Sequence, residues 1–294
     1  MDRNEDVVTM TKVHRFTTPV FTLGLEDTIN DALFLMQKND IKRVVIVKGN
    51  FPVGIVTERD IGRFLQYDKT TKPLDKIPIQ NVMTRNLVTI HGEDEDIPTQ
   101  SAVRMDTFQI SSVIVVDNDG KLIGIITKSD LARNFASLYG RVYKVEDYMS
   151  KKIITCRKAD SLCFALDMLN KNKISRLVVT NNEGKPIGVI TYDTFLRNSG
   201  FFKANKSTRD YLLPNTSAKE MRVGELIRED LLTVDMEDDL ATAAKLMTDY
   251  KVSGIPVVDN NGALEGIVSS TDIVKAYSEI ETHFRLIKKD PHFI

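Results

Sequence analysis

The chain has no tryptophan, only two cysteines, four histidines and almost no net charge, and each shortage removes a class of function. Cys156 and Cys163 stand seven residues apart with no His or Cys close by, so neither zinc-ligand spacing nor a disulfide framework can be read. They read as small buried apolar residues. His14, His91, His283 and His292 are scattered, neither cysteine has an activating partner, and no P-loop or nucleophile-elbow string occurs. No catalytic constellation is legible, and the chain reads as a non-enzyme.

Forty Lys plus Arg stand against 41 Asp plus Glu, a formal charge of −1, which removes the broad electrostatic case for a nucleic-acid or acidic-membrane partner. No apolar run nears the roughly 20 residues of a membrane helix. The acidic, polar amino terminus MDRNEDVVTM lacks the basic start and apolar core of a signal peptide, so a cytoplasmic protein is expected. What is present is a globular composition, 42% hydrophobic and 28% charged over 294 residues, enough for about two domains.

Internal similarity is the strongest signal. The strings PVGIVTERDI, LIGIITKSDL, PIGVITYDTF and LEGIVSSTDI carry Gly54, Gly124, Gly188 and Gly266, separated by 70, 64 and 78 residues. A β-branched run precedes each (RVVIVK, SVIVVD, RLVVT, GIPVVD), and a turn rich in Gly and Asn joins the two strands. Upstream lies a short strand reaching Thr22, Thr89, Thr155 or Thr233, then a helical pattern. The pattern is clearest in TINDALFLMQKND, where Ile29, Ala32, Leu33 and Met36 share a face. A second helix starts after the last strand. The fold class is therefore α/β (α+β), with four β-α-β-β-α units of about 60 residues, the second carrying two extra residues between His91 and Ile97. Such a unit has little core of its own, so neighbours pair.

The expected boundaries are a first pair at 1–140 (repeats at about 12–68 and 79–137) and a second at 141–294 (repeats at about 145–198 and 221–280). A C-terminal helix follows, with Ile280, Phe284 and Ile287 on the face expected to pack on its own domain. The linker at 196–220 holds Arg197, Lys203, Lys206 and Arg209 without an intervening acid; it reads as a solvated loop or as a contact for phosphate or an acidic partner.

The unit with its G-h-h-[ST]-x-x-D ending resembles the CBS domain, named after cystathionine β-synthase. Four copies resemble the gamma subunit of AMP-activated protein kinase and stand-alone archaeal and bacterial four-repeat proteins. The resemblance spans roughly residues 12–280. It implies two intramolecular modules with ligand clefts between paired repeats. One repeat supplies the strand-leading Thr and an adenine-edge segment; its partner supplies the [ST]-x-x-D ending.

Those endings are Thr57 with Asp60, Thr127 with Asp130, Thr191 with Thr194, and Ser269 with Asp272. Ser or Thr three residues before an acid at a helix start is also a capping box, and capping alone is one reading of each. The other is chemical: a carboxylate accepts both hydroxyls of a ribose, while a neighbouring hydroxyl and free helix-start amides receive phosphate. Arg43 and Arg176 lie 21 residues after Thr22 and Thr155, where copies two and four have Ser112 and Gly254. The resemblance implies that both arginines reach nucleotide phosphates.

Two clefts are then complete. One takes Thr22, Ile41 and Arg43 with Thr127 and Asp130; the other takes Thr155, Ile174 and Arg176 with Ser269 and Asp272. A third, with Thr57, Asp60, Thr89 and Ile110, lacks the arginine and has the acidic run Glu93–Asp96 near its phosphate end, so a polyphosphate there needs a magnesium ion. The Thr194 cleft, with Thr233 and Val252, has its acid one position early at Asp193 and is expected to be empty or weak.

The resulting expectation is a regulatory sensor of AMP, ADP or ATP that has no resident cofactor and signals to an unknown regulated protein, as a monomeric pseudo-dimeric disc or a homodimer. Two alternatives stay open: a sensor of another adenosyl ligand such as S-adenosylmethionine, and a ligand-free interaction scaffold.

Overall fold

The computed structural model describes residues 19–67, 72–197, 221–227 and 230–289. Lys203, Lys206 and Arg209 of the basic linker, and the side chains of Arg197, Ile280, Phe284 and Ile287, lie outside the described residues.

Each copy is built on one three-stranded sheet. In the first, β1 (Thr22–Gly24) is parallel to β2 (Arg43–Lys48), which pairs antiparallel with β3 (Phe51–Thr57). A parallel pair needs a crossover, supplied by α1 (Ile29–Asn39), and α2 (Glu58–Tyr67) follows β3. The second copy repeats this as β4 (Thr89–His91), α3 (Ile97–Thr107), β5 (Ser112–Val116), β6 (Leu122–Thr127) and α4 (Lys128–Leu138). After a short α5 (Val145–Tyr148), the third runs β7 (Thr155–Arg157), α6 (Leu162–Lys171), β8 (Arg176–Thr180), β9 (Pro186–Thr191) and α7 (Tyr192–Arg197). The fourth runs β10 (Val234–Asp235), α8 (Leu240–Asp249), β11 (Gly254–Val258), β12 (Leu264–Ser269) and α9 (Ser270–Lys289). None of the described helices is long and apolar enough to cross a membrane.

The copies agree in detail. The antiparallel ladder slips at Ile46/Val47, Val115/Val116, Val179/Thr180 and Val257/Val258, and the hairpin glycines Gly49, Gly120, Gly184 and Gly262 all have positive φ. Each crossover helix ends on a left-handed non-glycine residue, Asp40, Gln109, Lys173 or Lys251. The next amide then reaches back to the helix, from Ile41 to Met36, Ile110 to Met105, Ile174 to Leu169 and Val252 to Met247, at 3.0 to 3.1 Å. That closure fixes where the segment leading into each central strand begins.

Pairing comes from an exchange of leading segments. Met83, ahead of the second sheet, lies against Gly54 of the first, and Thr84 and Ile55 exchange backbone hydrogen bonds of 2.9 and 3.0 Å. In the second module, Met149 lies against Gly266 while Ser150 exchanges bonds with Ile267, and Ile227 lies against Gly188. A Cβ at Gly188 would sit 2.9 Å from that of Ile227, and one at Gly266 would sit 2.7 Å from the Met149 sulfur. Gly54, Gly188 and Gly266 are thus packing requirements of the partner repeat, since side-chain contacts that close force a shift.

Between the sheets of repeats one and two lies an apolar layer of Val45, Ile114, Val116 and Ile125. The modules meet through helices, repeat one with repeat three (α2 on α6 and α7) and repeat two with repeat four (α4 on α8 and α9, α3 on α9). The second seam is a single core: Leu131, Phe135, Ala244, Leu240, Ile273 and Tyr277 are buried together. Phe135→Ala therefore removes a ring shared by two repeats and should cost about 3–5 kcal/mol. Chemical denaturation should show the loss as one transition, because the cavity opens in both modules at once.

Candidate functional site

All four strand-to-helix junctions cap their helices. The Asp60 Oδ2 accepts from the Thr57 amide and hydroxyl at 2.9 and 2.7 Å, Asp130 Oδ2 from Thr127 at 2.9 and 2.6 Å, and Asp272 Oδ2 from Ser269 at 2.7 Å twice. In the departing copy the Thr191 amide donates to the Thr194 hydroxyl at 3.1 Å. Capping uses one oxygen of each carboxylate. The other oxygen of Asp130 accepts from Arg133 at 3.2 Å, whereas Asp60 and Asp272 have no hydrogen bond to Oδ1 among the described residues.

A cavity of about 290 Å³ is lined by residues of all four repeats. Thr57, Glu58, Asp60, Val88 and Ile110 line it together with Arg43, Arg59, Lys128 and Arg176. The cations come from repeats one, two and three, and each is tied across a seam to a neighbour. Arg43 donates to the Ser111 carbonyl at 2.8 Å, Lys128 to Thr271 at 2.9 Å, Arg176 to Ser253 at 3.0 Å, and Arg59 to the Ser175 hydroxyl. No ion pair among the described residues neutralises any of the four. The Nε atoms of Arg43 and Arg176 are sealed from solvent without a hydrogen-bond partner among the described residues.

Burial disfavours these charges. It lowers Arg43 against the pull of Asp130 and Glu58, and brings Arg176 down to about 10 against that of Asp272. Lys128 is pushed down to about 8, first by burial and then by Arg176 and Arg59. Burial also raises Asp272 above the usual carboxylate range. The cavity is therefore a place where a positive field is held at a cost, and an anion relieves it.

Of the expected site residues, the cavity gathers Arg43, Thr57, Asp60, Ile110 and Arg176. Thr22, Ile41, Thr127, Asp130, Thr155, Ile174, Ser269, Asp272 and Thr89 are not on its wall, though Asp130 and Asp272 are electrostatic neighbours of Arg43 and Arg176. The strand-leading threonines Thr22, Thr89 and Thr155 are exposed on the outer parallel strands. The third cleft, expected to lack an arginine, instead shares Arg43 and Arg176, because both side chains cross from their strand starts toward the partner repeat. Residues Glu93–Asp96 are absent from the wall.

Three residues escape the sequence pattern. Lys128 and Arg59 sit inside the [ST]-x-x-D string at the two variable positions, where the sequence shows only charge, and nothing in it marks Ser253 as a partner. The small residues opposite the arginines do have a reason: a Cβ on Gly254 would lie 2.8 Å from Arg176 Cδ and 2.9 Å from Nε.

A profile of the CBS domain matches residues 8–67, 79–137, 145–200 and 223–279. An uncharacterized protein of Methanocaldococcus jannaschii is 30% identical over 295 residues, covering 94% of this chain and 65% of that protein, so the chain spans somewhat under two thirds of it. Among solved structures, a second protein of that organism, proposed as an archaeal homologue of g-AMPK, superimposes with a TM-score of 0.77 at 23% identity over 90% of this chain and 99% of its own. An uncharacterized conserved protein of Pyrococcus horikoshii does so with 0.63 at 20% identity, over 91% of this chain and all of its own.

Lys128 gives a stability test with a defined sign. Its folded value lies below its unfolded one of 10.5, so the unfolded chain binds the extra proton between about 8 and 10.5 and stability should rise with pH across that window. Lys128→Met should remove the rise, gaining on the parent by up to about 3 kcal/mol below pH 8, since each tenfold loss of proton affinity on folding is worth about 1.4 kcal/mol. Urea midpoints from pH 7 to 10.5 measure it, and parallel curves for the two proteins would contradict the assignment.

Proposed function

We propose that this chain, which belongs to the CBS domain family, is a regulatory module that binds an adenine nucleotide with its phosphates in the shared central cavity. The carrying observation is the set of four cations that line one cavity with no ion pair among the described residues, two of them with sealed Nε atoms that have no hydrogen-bond partner among those residues. Asp60, with one oxygen free of its capping role, accepts the ribose hydroxyls. Ile110, at the start of the adenine-edge segment, borders the base. Thr57 and the first amides of α2 guide the 5′ substituent inward, where Arg43, Arg59, Lys128 and Arg176 meet its oxygens.

The balance of the lining favours phosphate over a cationic 5′ group. Five basic residues, the four named and Lys42, face two acids, Glu58 and Asp60. A sulfonium such as that of S-adenosylmethionine would add a positive charge to a wall that already lacks partners. Asp272 and Asp130 mark further clefts served from behind by Arg176 and Arg43, and a nucleotide there draws on the same cations.

Binding also moves a proton. An anion beside Lys128 raises its pKa from about 8 toward its ordinary value, so nucleotide binding near pH 8 to 9 takes up protons. Calorimetry of ATP binding in buffers of different ionisation enthalpy should show this uptake in the parent and not in Lys128→Met.

Arg43→Ala and Arg176→Ala should each weaken AMP and ATP by about 1–3 kcal/mol. Asp60→Asn, which keeps a capping oxygen, should weaken adenosine itself. Equal binding of S-adenosylmethionine and ATP by the parent, or unchanged ATP affinity in the double arginine variant, refutes the phosphate assignment. Survival of adenosine binding in Asp60→Asn refutes the ribose assignment.

A further inference from the structure

The two seams between the modules are built from different materials. Between repeats two and four, α3 and α4 share one core with α8 and α9, in which Leu131, Phe135, Ala241 and Tyr277 are each at most 3% exposed. Phe135, Tyr139 and Tyr277 close a ring triangle with centroids 5.0, 6.3 and 5.7 Å apart, and the Tyr277 hydroxyl donates to Asn134 at 2.7 Å. Between repeats one and three, the cores of the described residues form two clusters, and Leu196 of α7 is the one described residue of repeat three that joins that of repeat one. Among the described residues, the contacts across this seam include polar ties and one ring. Gln37 donates to the Leu196 carbonyl at 2.7 Å, Arg59 to the Ser175 hydroxyl, and the Tyr192 ring lies flat enough on α2 that a Cβ at Gly62 would sit 2.6 Å from its Cδ1.

The cavity meets both seams. On the side of repeats two and four it touches Lys128, Ser270 and Thr271; on the other it touches Arg59, Ser175, Thr191 and Tyr192. An anion that draws on Lys128 and Arg59 competes with the hydroxyls that tie them across each seam. The first seam keeps its apolar core when its tie is loosened, whereas among the described residues the second has Leu196 and the Tyr192 ring against Gly62 beside its polar ties. We infer that the seam between repeats one and three is the compliant one, and that occupancy of the cavity is transmitted through it by way of Arg59 and Tyr192 while repeats two and four stay closed. Tyr192 is suited to this because it belongs to both places: its ring faces Gly62 and lines the cavity, and its hydroxyl is held by Asn170 of α6 at 2.6 Å. Packed elements shift between discrete arrangements, so a small change at such a residue moves helices and not only side chains.

The ligand half of this inference rests on the proposed nucleotide reading; the seam half does not. Hydrogen exchange read by mass spectrometry separates them. In the ligand-free full chain, Gly62→Ala wedges the seam and should speed exchange in α2, α6 and α7 by about tenfold or more while α4, α8 and α9 keep the parent rate. Ser175→Ala, which removes only a tie and no packing, should do the same to a smaller degree and stands in if the alanine wedge does not fold. Equal acceleration on both sides, or none in either variant, overturns the inference. With saturating ATP on the parent chain, the change in exchange should fall on α2, α6 and α7. A change of the same size in α4, α8 and α9 overturns the coupling, and calorimetry showing no ATP binding sinks the nucleotide reading while the two ligand-free variants still decide the seam.

Discussion

Two guanidinium groups and an ammonium, drawn from three repeats and lining one cavity without an ion pair among the described residues, are the constraint on which the rest depends. Desolvated charge of one sign is unfavourable, and a fold retains it only where other terms outweigh it. Here those terms are the apolar layer between the sheets of repeats one and two and the common core of repeats two and four. The cations are accommodated, not satisfied. Each finds one neutral hydroxyl or carbonyl in the next repeat, which fixes its direction without cancelling its charge.

The same constraint explains features that look unrelated. Gly254 is a glycine because Arg176 crosses over it, and Ser112 occupies the equivalent place beneath Arg43. Within a pair, one strand start therefore carries the arginine and the other stays small. The motif glycines follow a parallel logic at the opposite end of the sheet, where Met83, Ile227 and Met149 from exchanged leading segments need the room. Pairing is thus written twice, once in glycines that admit a neighbour and once in arginines that reach for one.

The fold was legible because it is repeated. Gly54, Gly124, Gly188 and Gly266 with their flanking strands are local patterns, and four copies of a local pattern reinforce one another. The capping boxes were legible for the same reason. The site was legible only by halves: residue types and roles came from each copy alone, but the grouping depends on side chains several ångströms long crossing seams between copies. The spacing from Thr22 points Arg43 to the Asp130 cleft, and it does lie in the field of Asp130, yet its guanidinium also faces the Asp60 cavity. Repeat periodicity carries no information about which of two clefts a shared cation serves. The role of Gly62 was hidden for a related reason, since a glycine inside α2 reads as a weak helix former until Tyr192 of another repeat is seen against it.

One position shows how identical frames came to hold different chemistry. The residue after the strand-ending Thr or Ser is Glu58, Lys128, Tyr192 or Ser270 in the four copies, and all four line the central cavity. Because the frames superimpose, this position delivers four side chains to one place from four directions, and their differences break the symmetry that the backbone imposes. The acid raises the Arg43 pKa against burial, the base is pushed down to about 8, and the aromatic ring lies against Gly62 across a seam. A symmetric ring of four lysines would bind anions more strongly at the cost of mutual repulsion, and would couple them to no seam in particular. Divergence at this single position is what makes a repetitive scaffold line one cavity with an acid, a base, an aromatic ring and a hydroxyl.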